Sequence, residues 1–280
     1  MKILVTGGSG YLGTHVRRFF NADDFSRRSG HDILSSNDVK HVADYDAVIH
    51  LAARLEKDPA GAELCFRTNA EGTANVIRNI QRNATFIYAS TKDVYGPHSG
   101  SYDEVPESCP TNYDGQTALE WSKLIGERYV EYYARQHNLR ACIFRMSAIY
   151  ARPSEGNESG FVTHYVESVK RGKVIRLPLS GQPVRDILHV DDFSRACQAF
   201  IGSPQRFGLY NLGGGKDNSA CLREIIDTIA RQIELEPKVV NDDLLPDPVP
   251  INYVSDLSRI RSQLDWQPQI GIEEGLRSLL

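Results

Sequence analysis

No run of the chain approaches the roughly 18 consecutive apolar residues of a membrane-spanning helix. A leader peptide is not expected either, because Met1 leads straight into the strand-like Lys2-Ile3-Leu4-Val5. Cysteine is scarce and scattered: Cys65, Cys109, Cys142, Cys197 and Cys221 are odd in number and include no C-x-x-C pair. That argues against a disulfide framework or a cysteine zinc site and fits a reducing cytoplasm. The eight histidines fall into no metal-ligand spacing, so no metal site is expected. A surplus of one charge is missing too. The 32 Lys and Arg stand against 36 Asp and Glu, a net charge of -4, so electrostatics make no case for nucleic acid or an anionic membrane as partner. A small solute is the better expectation.

What is present is ordinary in bulk and specific in order. The 280 residues, 41% apolar and 24% charged, suit one large globular domain or two smaller ones. Ile3-Leu4-Val5 is a short apolar run closed by a glycine turn, after which Val16, Phe19 and Phe20 recur at helical spacing. The rhythm returns with a buried strand at Ala47 to Leu51, a helix around Asn69 to Ile80, and a strand at Thr85 to Ala89. A long helix from about Thr117 to Gln136 leads to the strand Ala141 to Phe144. Between these, one strand is placed near Asp24-Phe25-Ser26 and the next near Asp32-Ile33-Leu34. Strands alternating with helices predict an α/β fold with a doubly wound parallel sheet. After Arg145 the chain turns to Gly-, Pro- and Ser-rich loops, with helices at Phe161–Lys170 and near Leu222–Ile233 and a proline-rich segment from Leu245 to Pro250. The expected division is 1–145 with about 184–202 as a Rossmann-like dinucleotide-binding domain, and 146–183 with 203–280 as a smaller, discontinuous substrate lobe.

The glycine turn holds G-x-x-G-x-x-G (Gly7, Gly10, Gly13) and the overlapping G-x-G-x-x-G that starts at Gly8. Glycine permits the tight turn and lets the backbone approach a pyrophosphate, which the positive end of the following helix attracts. A strand before the motif and a helix after it are the context that gives it meaning. Which dinucleotide depends on the end of the second strand, where Ser26-Arg27-Arg28-Ser29 offers guanidinium forks and no carboxylate is read there. That points to NADP, with NAD left open.

These residues and others in the same order resemble the extended short-chain dehydrogenase/reductases that act on nucleotide sugars, the NAD-dependent epimerase/dehydratase family. The likeness runs through Gly30-His31-Asp32-Ile33, His50-Leu51-Ala52-Ala53, Asn69-Ala70-Glu71-Gly72-Thr73 and Ala89-Ser90-Thr91-Lys92-Asp93-Val94-Tyr95-Gly96. It continues through Ser122-Lys123 with Glu127, Arg145 to Tyr150, Arg185 to Asp192 and Tyr210-Asn211-Leu212. The resemblance implies hydride transfer at a sugar carbon. For the cofactor it implies contacts from the turn (Gly7, Gly10, Tyr11, Leu12, Gly13), Arg27, Arg28, Asp32, Ile33, Leu51, Ala52, Ala53, Asn69 and Lys123. For the substrate it implies Thr91, Lys92, Asp93, Ser147 and Arg185, the last on the nucleotide diphosphate. It also implies a homodimer through the helix that carries Lys123.

One family position is not filled as expected. A tyrosine four residues before the lysine shares its helical face, so that the ammonium lowers the phenol pKa. Here Thr91 and Lys123 are present, but Leu119 stands at that place, and leucine carries no proton. Tyr113, just upstream, is either an ordinary loop tyrosine or a donor that reaches the site. Lys92-Asp93 sits where the dehydratases of the family carry an acid and a base, with an ammonium in the acid's place. Three readings follow: an epimerase or keto-reductase with an unusual proton donor, a catalytically silent protein that binds NAD(P) and a nucleotide sugar, and an atypical dehydratase.

Overall fold

The computed structural model describes residues 1–153, 160–246 and 248–280; parts of the Gly/Pro/Ser-rich loop after Arg145 and of the proline-rich segment lie outside them. The first half runs β1 (Ile3–Thr6), α1 (Gly13–Phe20), β2 (Asp23–Phe25), β3 (Ala47–His50), α2 (Ala62–Phe66), α3 (Gly72–Asn79), β4 (Thr85–Thr91), α4 (Ala118–Gln136) and β5 (Arg140–Met146). Then come β6 (Ala148–Tyr150), α5 (Phe161–Lys170), β7 (Val174–Leu177), β8 (Val184–His189), α6 (Val190–Gly202) and β9 (Phe207–Leu212). The chain closes with β10 (Ser219–Cys221), α7 (Leu222–Ile233), β11 (Lys238–Asn241), α8 (Ser258–Leu264) and α9 (Ile272–Arg277).

Alternation along the strands explains the layers. In β1, Ile3 and Val5 enter one core while Leu4 enters the other, and β3, β4 and β5 divide in the same way. Strands buried on both faces require helices on both. α1, α6 and α8 cover one side through Val16, Phe193, Phe200 and Ile260; α3 and α4 cover the other through Val76, Ile77 and Val130. Among the described residues, six strands form a parallel sheet in the order β2-β1-β3-β4-β5-β9. This is the expected Rossmann-like, doubly wound α/β architecture.

One expected strand does not form. At Asp32-Ile33-Leu34 the Asp32 carboxylate accepts from the Leu34 amide at 2.9 Å, and the Asp32 amide donates to Asp38 at 2.8 Å. Side chains thereby take backbone groups that a ladder would use. Ile33 is buried against α3 instead, so the strand that ends at His50 is the third of the chain.

The smaller cores surround the second half. α5 and α7 pack against each other and against β7 and β8 through Val166, Ile175, Ile187, Ile225 and Ile229. β8 lies between β10 and β6 in a second sheet. β9, which follows residue 203, extends the main sheet beside β5, with Tyr210 and Leu212 buried in its core. The main sheet therefore draws a strand from the stretch 203–280, and β8 of the stretch 184–202 belongs to the smaller sheet.

Candidate active site

The main sheet changes direction of winding between β1 and β3, and the carboxyl strand ends at such a switch point are where folds of this kind take ligands. The glycine turn lies there. Gly7 has φ +69°, and a Cβ on it would sit 2.8 Å from the Ala52 nitrogen, so the turn packs directly on the Leu51-Ala52-Ala53 segment. Gly10 donates to the Gly7 carbonyl at 2.9 Å, and a Cβ on Gly13 would collide with that same oxygen and with Gly8. The result is a close-packed cradle before α1 that side chains would fill, which suits the diphosphate of a dinucleotide. Leu12 caps α1, while the Tyr11 hydroxyl is bound to Ala151 and Thr163, each at 2.8 Å, and ties the turn to the second half.

The reading that no carboxylate stands at the end of the second strand is corrected. Asp24 lies in β2, and its carboxylate reaches the turn: Oδ2 accepts from Ser9 and, at 3.2 Å, from Ser26, and pairs with Arg17 at 3.4 Å. Its Oδ1 is buried without a hydrogen-bond partner. The sequence alone places the strand end at Ser26 and Arg27, whereas β2 stops at Phe25 and its pleat turns Asp24 towards the turn. Arg28 donates to the Ser9 carbonyl at 3.1 Å; Arg27 is exposed. Asp32 and Ile33 hold the bend already described. Asn69 is buried and spends its amide on protein: it accepts from the Arg54 nitrogen at 2.8 Å and donates to the Arg54 carbonyl and to Ser122, each at 2.9 Å. Asn69 thereby fixes the chain that leaves β3. His50 is buried between Thr6 and Thr73, and burial, with the Lys123 charge, pulls its pKa down to about 3, leaving a neutral imidazole.

At the same carboxyl edge of the sheet, β4 ends at Thr91 and α4 supplies Lys123. The buried Lys123 ammonium donates to the Ala89 carbonyl at 2.7 Å, two residues before Thr91, and burial lowers its pKa to about 8 against the pull of Cys65 and Glu127. Glu127 is held by Ser90 at 2.6 Å and by both ends of the Arg145 fork at 3.0 and 2.7 Å. This buried pair locks α4 to β4 and β5. Leu119 is 4% exposed and offers no polar atom.

A charged cluster lies beside Thr91. The Asp93 amide donates to the Thr91 hydroxyl at 3.2 Å. The Asp93 carboxylate pairs with Lys92 at 2.6 Å and with Lys57 at 2.8 Å, and Lys57 pairs in turn with Glu120 at 3.2 Å. Burial opposes the Asp93 charge, but Lys92 and Lys57 hold its carboxyl well below the usual carboxylate range. Burial, with Arg185 and Lys57 nearby, pushes Lys92 down against Asp93, and its ammonium lies 5.1 Å from the centre of the Tyr253 ring. Tyr113 does reach this corner. Its ring seats against Gly96 and its hydroxyl donates to the Asp93 carbonyl at 3.1 Å. Burial, Glu120 and Asp93 raise its pKa, so it is held as a phenol.

Arg185 projects from β8 towards the cluster but is occupied, donating to the carbonyls of Val184, Pro250 and Ile251 at 2.6, 3.0 and 2.6 Å. Ser147 bonds the buried Asp186 carboxylate and the Asp186 carbonyl, the latter at 3.0 Å. No group of potential metal ligands occurs among the described residues, and no helix among them is long and apolar enough to cross a membrane. Of the residues with no place in the sequence reading, Glu120 carries a local signal: Thr117-x-x-Glu120 is a capping box, and the Thr117 amide donates to Glu120 at 2.7 Å. Lys57 carries none, since it meets Asp93 only through the fold.

The model of the NAD dependent epimerase/dehydratase family matches residues 3–213. CDP-paratose 2-epimerase of Salmonella typhi is 26% identical over 332 residues, spanning 100% of this chain and 98% of that protein. A dTDP-glucose 4,6-dehydratase of Mycobacterium tuberculosis is 29% identical over 315 residues, spanning 100% and 92%. The crystal structure of UDP-glucuronic acid 4-epimerase from Bacillus cereus, in complex with UDP-glucuronic acid and NAD, superposes with a TM-score of 0.84 at 20% identity, over 99% of this chain and 97% of that one.

Proposed function

The chain belongs to the NAD dependent epimerase/dehydratase family, and on that premise we propose that it binds a nicotinamide dinucleotide and acts on a nucleotide-activated sugar by epimerisation or keto-reduction. The observation that carries this reading is the Lys123 ammonium bound at Ala89, two residues before Thr91, at the carboxyl end of β4, the edge of the parallel sheet that also carries the glycine turn. The relatives named above, by their names, act on CDP-, dTDP- and UDP-sugars. When bound, the dinucleotide supplies the acceptor and donor of hydride. The chain's own residues then have separate tasks. The glycine turn and the start of α1 receive the diphosphate, Thr91 polarises the reacting sugar oxygen, and Lys123 adds fixed positive charge. Tyr113, kept as a phenol at the Asp93 carbonyl, gives the proton that Leu119 cannot. Arg185 takes the nucleotide diphosphate by exchanging its three carbonyl partners for it.

Between the two dinucleotides, the expected lean to NADP rested on the absence of a carboxylate at the second strand. Asp24 removes that reason: its carboxylate stands at the glycine turn, where a negative charge favours ribose hydroxyls and repels a 2′-phosphate, so NAD is the proposed cofactor. The exposed Trp121 and Tyr132 on α4 support a homodimer through that helix, and the five free cysteines support a cytoplasmic protein.

Titration with NAD and NADP should give the tighter binding to NAD. The holoprotein mixed with UDP-, CDP- and dTDP-sugars should give epimerised or reduced product, and Tyr113→Phe should lower kcat by roughly a hundredfold with KM little changed. Unchanged turnover in Tyr113→Phe removes Tyr113 from the reaction. The buried, apolar Leu119 favours a second reading, a silent binder of dinucleotide and nucleotide sugar, which tight binding with no product on any sugar establishes. A product lacking one water establishes the dehydratase reading instead.

A further inference from the structure

Lys57 stands outside every motif in the chain, yet it joins three parts of the fold. It follows β3 in the segment Arg54-Leu55-Glu56-Lys57-Asp58, whose base Asn69 fastens by two backbone bonds. Its tip crosses to the first turn of α4 and to the segment after β4, where the ammonium bridges Glu120 at 3.2 Å and Asp93 at 2.8 Å. The Glu120 end is itself fixed, because Glu120 is buried and bound by the Thr117 amide. The bridge lies one residue along α4 from Leu119, the position that lacks a phenol.

A reversible reaction at a sugar hydroxyl needs a proton acceptor as well as a donor. In the resting site Tyr113 is a protonated phenol and cannot take up a proton, so the first acceptor of the hydroxyl proton is another group of the cluster. The Asp93 carboxylate is a fifth exposed, which leaves it open to a ligand. Lys92 faces it from its own turn, Lys57 from the loop after β3, Arg185 from β8, Tyr113 from the loop before α4, and Glu120 from α4 through Lys57.

We propose that Lys57 is a positioning residue for proton transfer, clamping the Asp93 carboxylate in the orientation in which it accepts the proton of the sugar hydroxyl. In that step the sugar O–H bond breaks, its electron pair stays on the sugar oxygen, and the proton passes to a carboxylate oxygen of Asp93; the reverse step returns it. The inference rests on the reading of the site as a nucleotide-sugar enzyme, but its geometry is testable without turnover.

The direct test follows the Asp93 carboxyl by 13C NMR as pH is lowered in the full chain, with Asp93→Asn identifying the signal. Lys57→Met should raise its titration midpoint by about one unit or more, and Lys57→Arg should restore most of the shift. On any nucleotide sugar that is turned over, Lys57→Met should lower kcat by about tenfold or more with KM within about twofold, and the acid limb of the kcat profile should move with the NMR midpoint. An Asp93 midpoint unmoved in Lys57→Met overturns the inference, as does a loss confined to KM. Should Lys57→Met fail to fold, Lys57→Gln takes its place under the same criteria. If no sugar is turned over by the wild type, the functional reading fails by that result, while the NMR titration still decides whether Lys57 clamps Asp93.

Discussion

Leu119 and Asp93 divide the chemistry at the residue scale. An apolar side chain at 4% exposure cannot take part in proton movement, and the groups that can are collected a few residues away around Asp93. Leu119→Tyr enlarges a packed position and should cost about 1–3 kcal/mol in stability, read from the denaturant midpoint. If Tyr113 and Asp93 already serve as donor and acceptor, the substitution adds less than about tenfold to turnover. Turnover that rises from nothing to a measurable rate would instead mark the wild type as the silent binder. The leucine was legible from its spacing to Lys123, and so was the possibility of Tyr113. The clamp was not, because Lys57, Asp93 and Glu120 are far apart in the chain and like any surface charges in isolation.

At the scale of elements, the glycine turn has two separable jobs. A Cβ on Gly13 collides with the backbone of Gly7 and Gly8, so Gly13→Ala should destabilise the fold by about 1–3 kcal/mol and weaken dinucleotide binding as well. A Cβ on Gly10 meets the Gly7 oxygen at 3.0 Å, so Gly10→Ala should lose dinucleotide affinity with a smaller change in stability. Denaturant midpoints and cofactor titrations on the two variants check the split, and equal stability losses would contradict it. The turn and its flanking strand and helix were readable because glycine spacing and apolar periodicity are local. The missing strand at Asp32-Ile33-Leu34 was misread because its apolar pair looks like a strand, while the competing side-chain bonds of Asp32 and Asp38 depend on the bend they create. The carboxylate of Asp24 escaped for a related reason. Whether it faces the turn depends on where β2 begins and ends, and a shift of one residue reverses the face.

The whole molecule sets one further property, its response to acid. His50 is buried between Thr6 and Thr73 with a folded pKa of about 3, whereas an unfolded histidine titrates near 6.5. Between those values the unfolded chain binds a proton that the folded chain does not, so stability falls as pH drops through that window. From pH 7 to pH 5 the loss from His50 should be about 2 kcal/mol, and denaturation at the two pH values in wild type and His50→Gln should show that difference shrink in the variant. His189, whose pKa burial also lowers, contributes with the same sign. Asp93, depressed by its lysines, adds to acid sensitivity only below the unfolded carboxylate range, about pH 4.

What the sequence determined by itself was whatever depends on neighbours along the chain: the alternation that makes buried strands, the helical periodicity, the glycine turn, the capping of α4 at Thr117, and the ordered motifs that mark the family. What only the tertiary structure decided was which distant side chains meet. It carried β9 into the main sheet, turned Asp24 to the glycine turn, brought Tyr113 to Asp93, and set Lys57 between two carboxylates. Packing decides those encounters, because a charged side chain has no preferred partner until the burial of apolar surface has placed the elements that carry it.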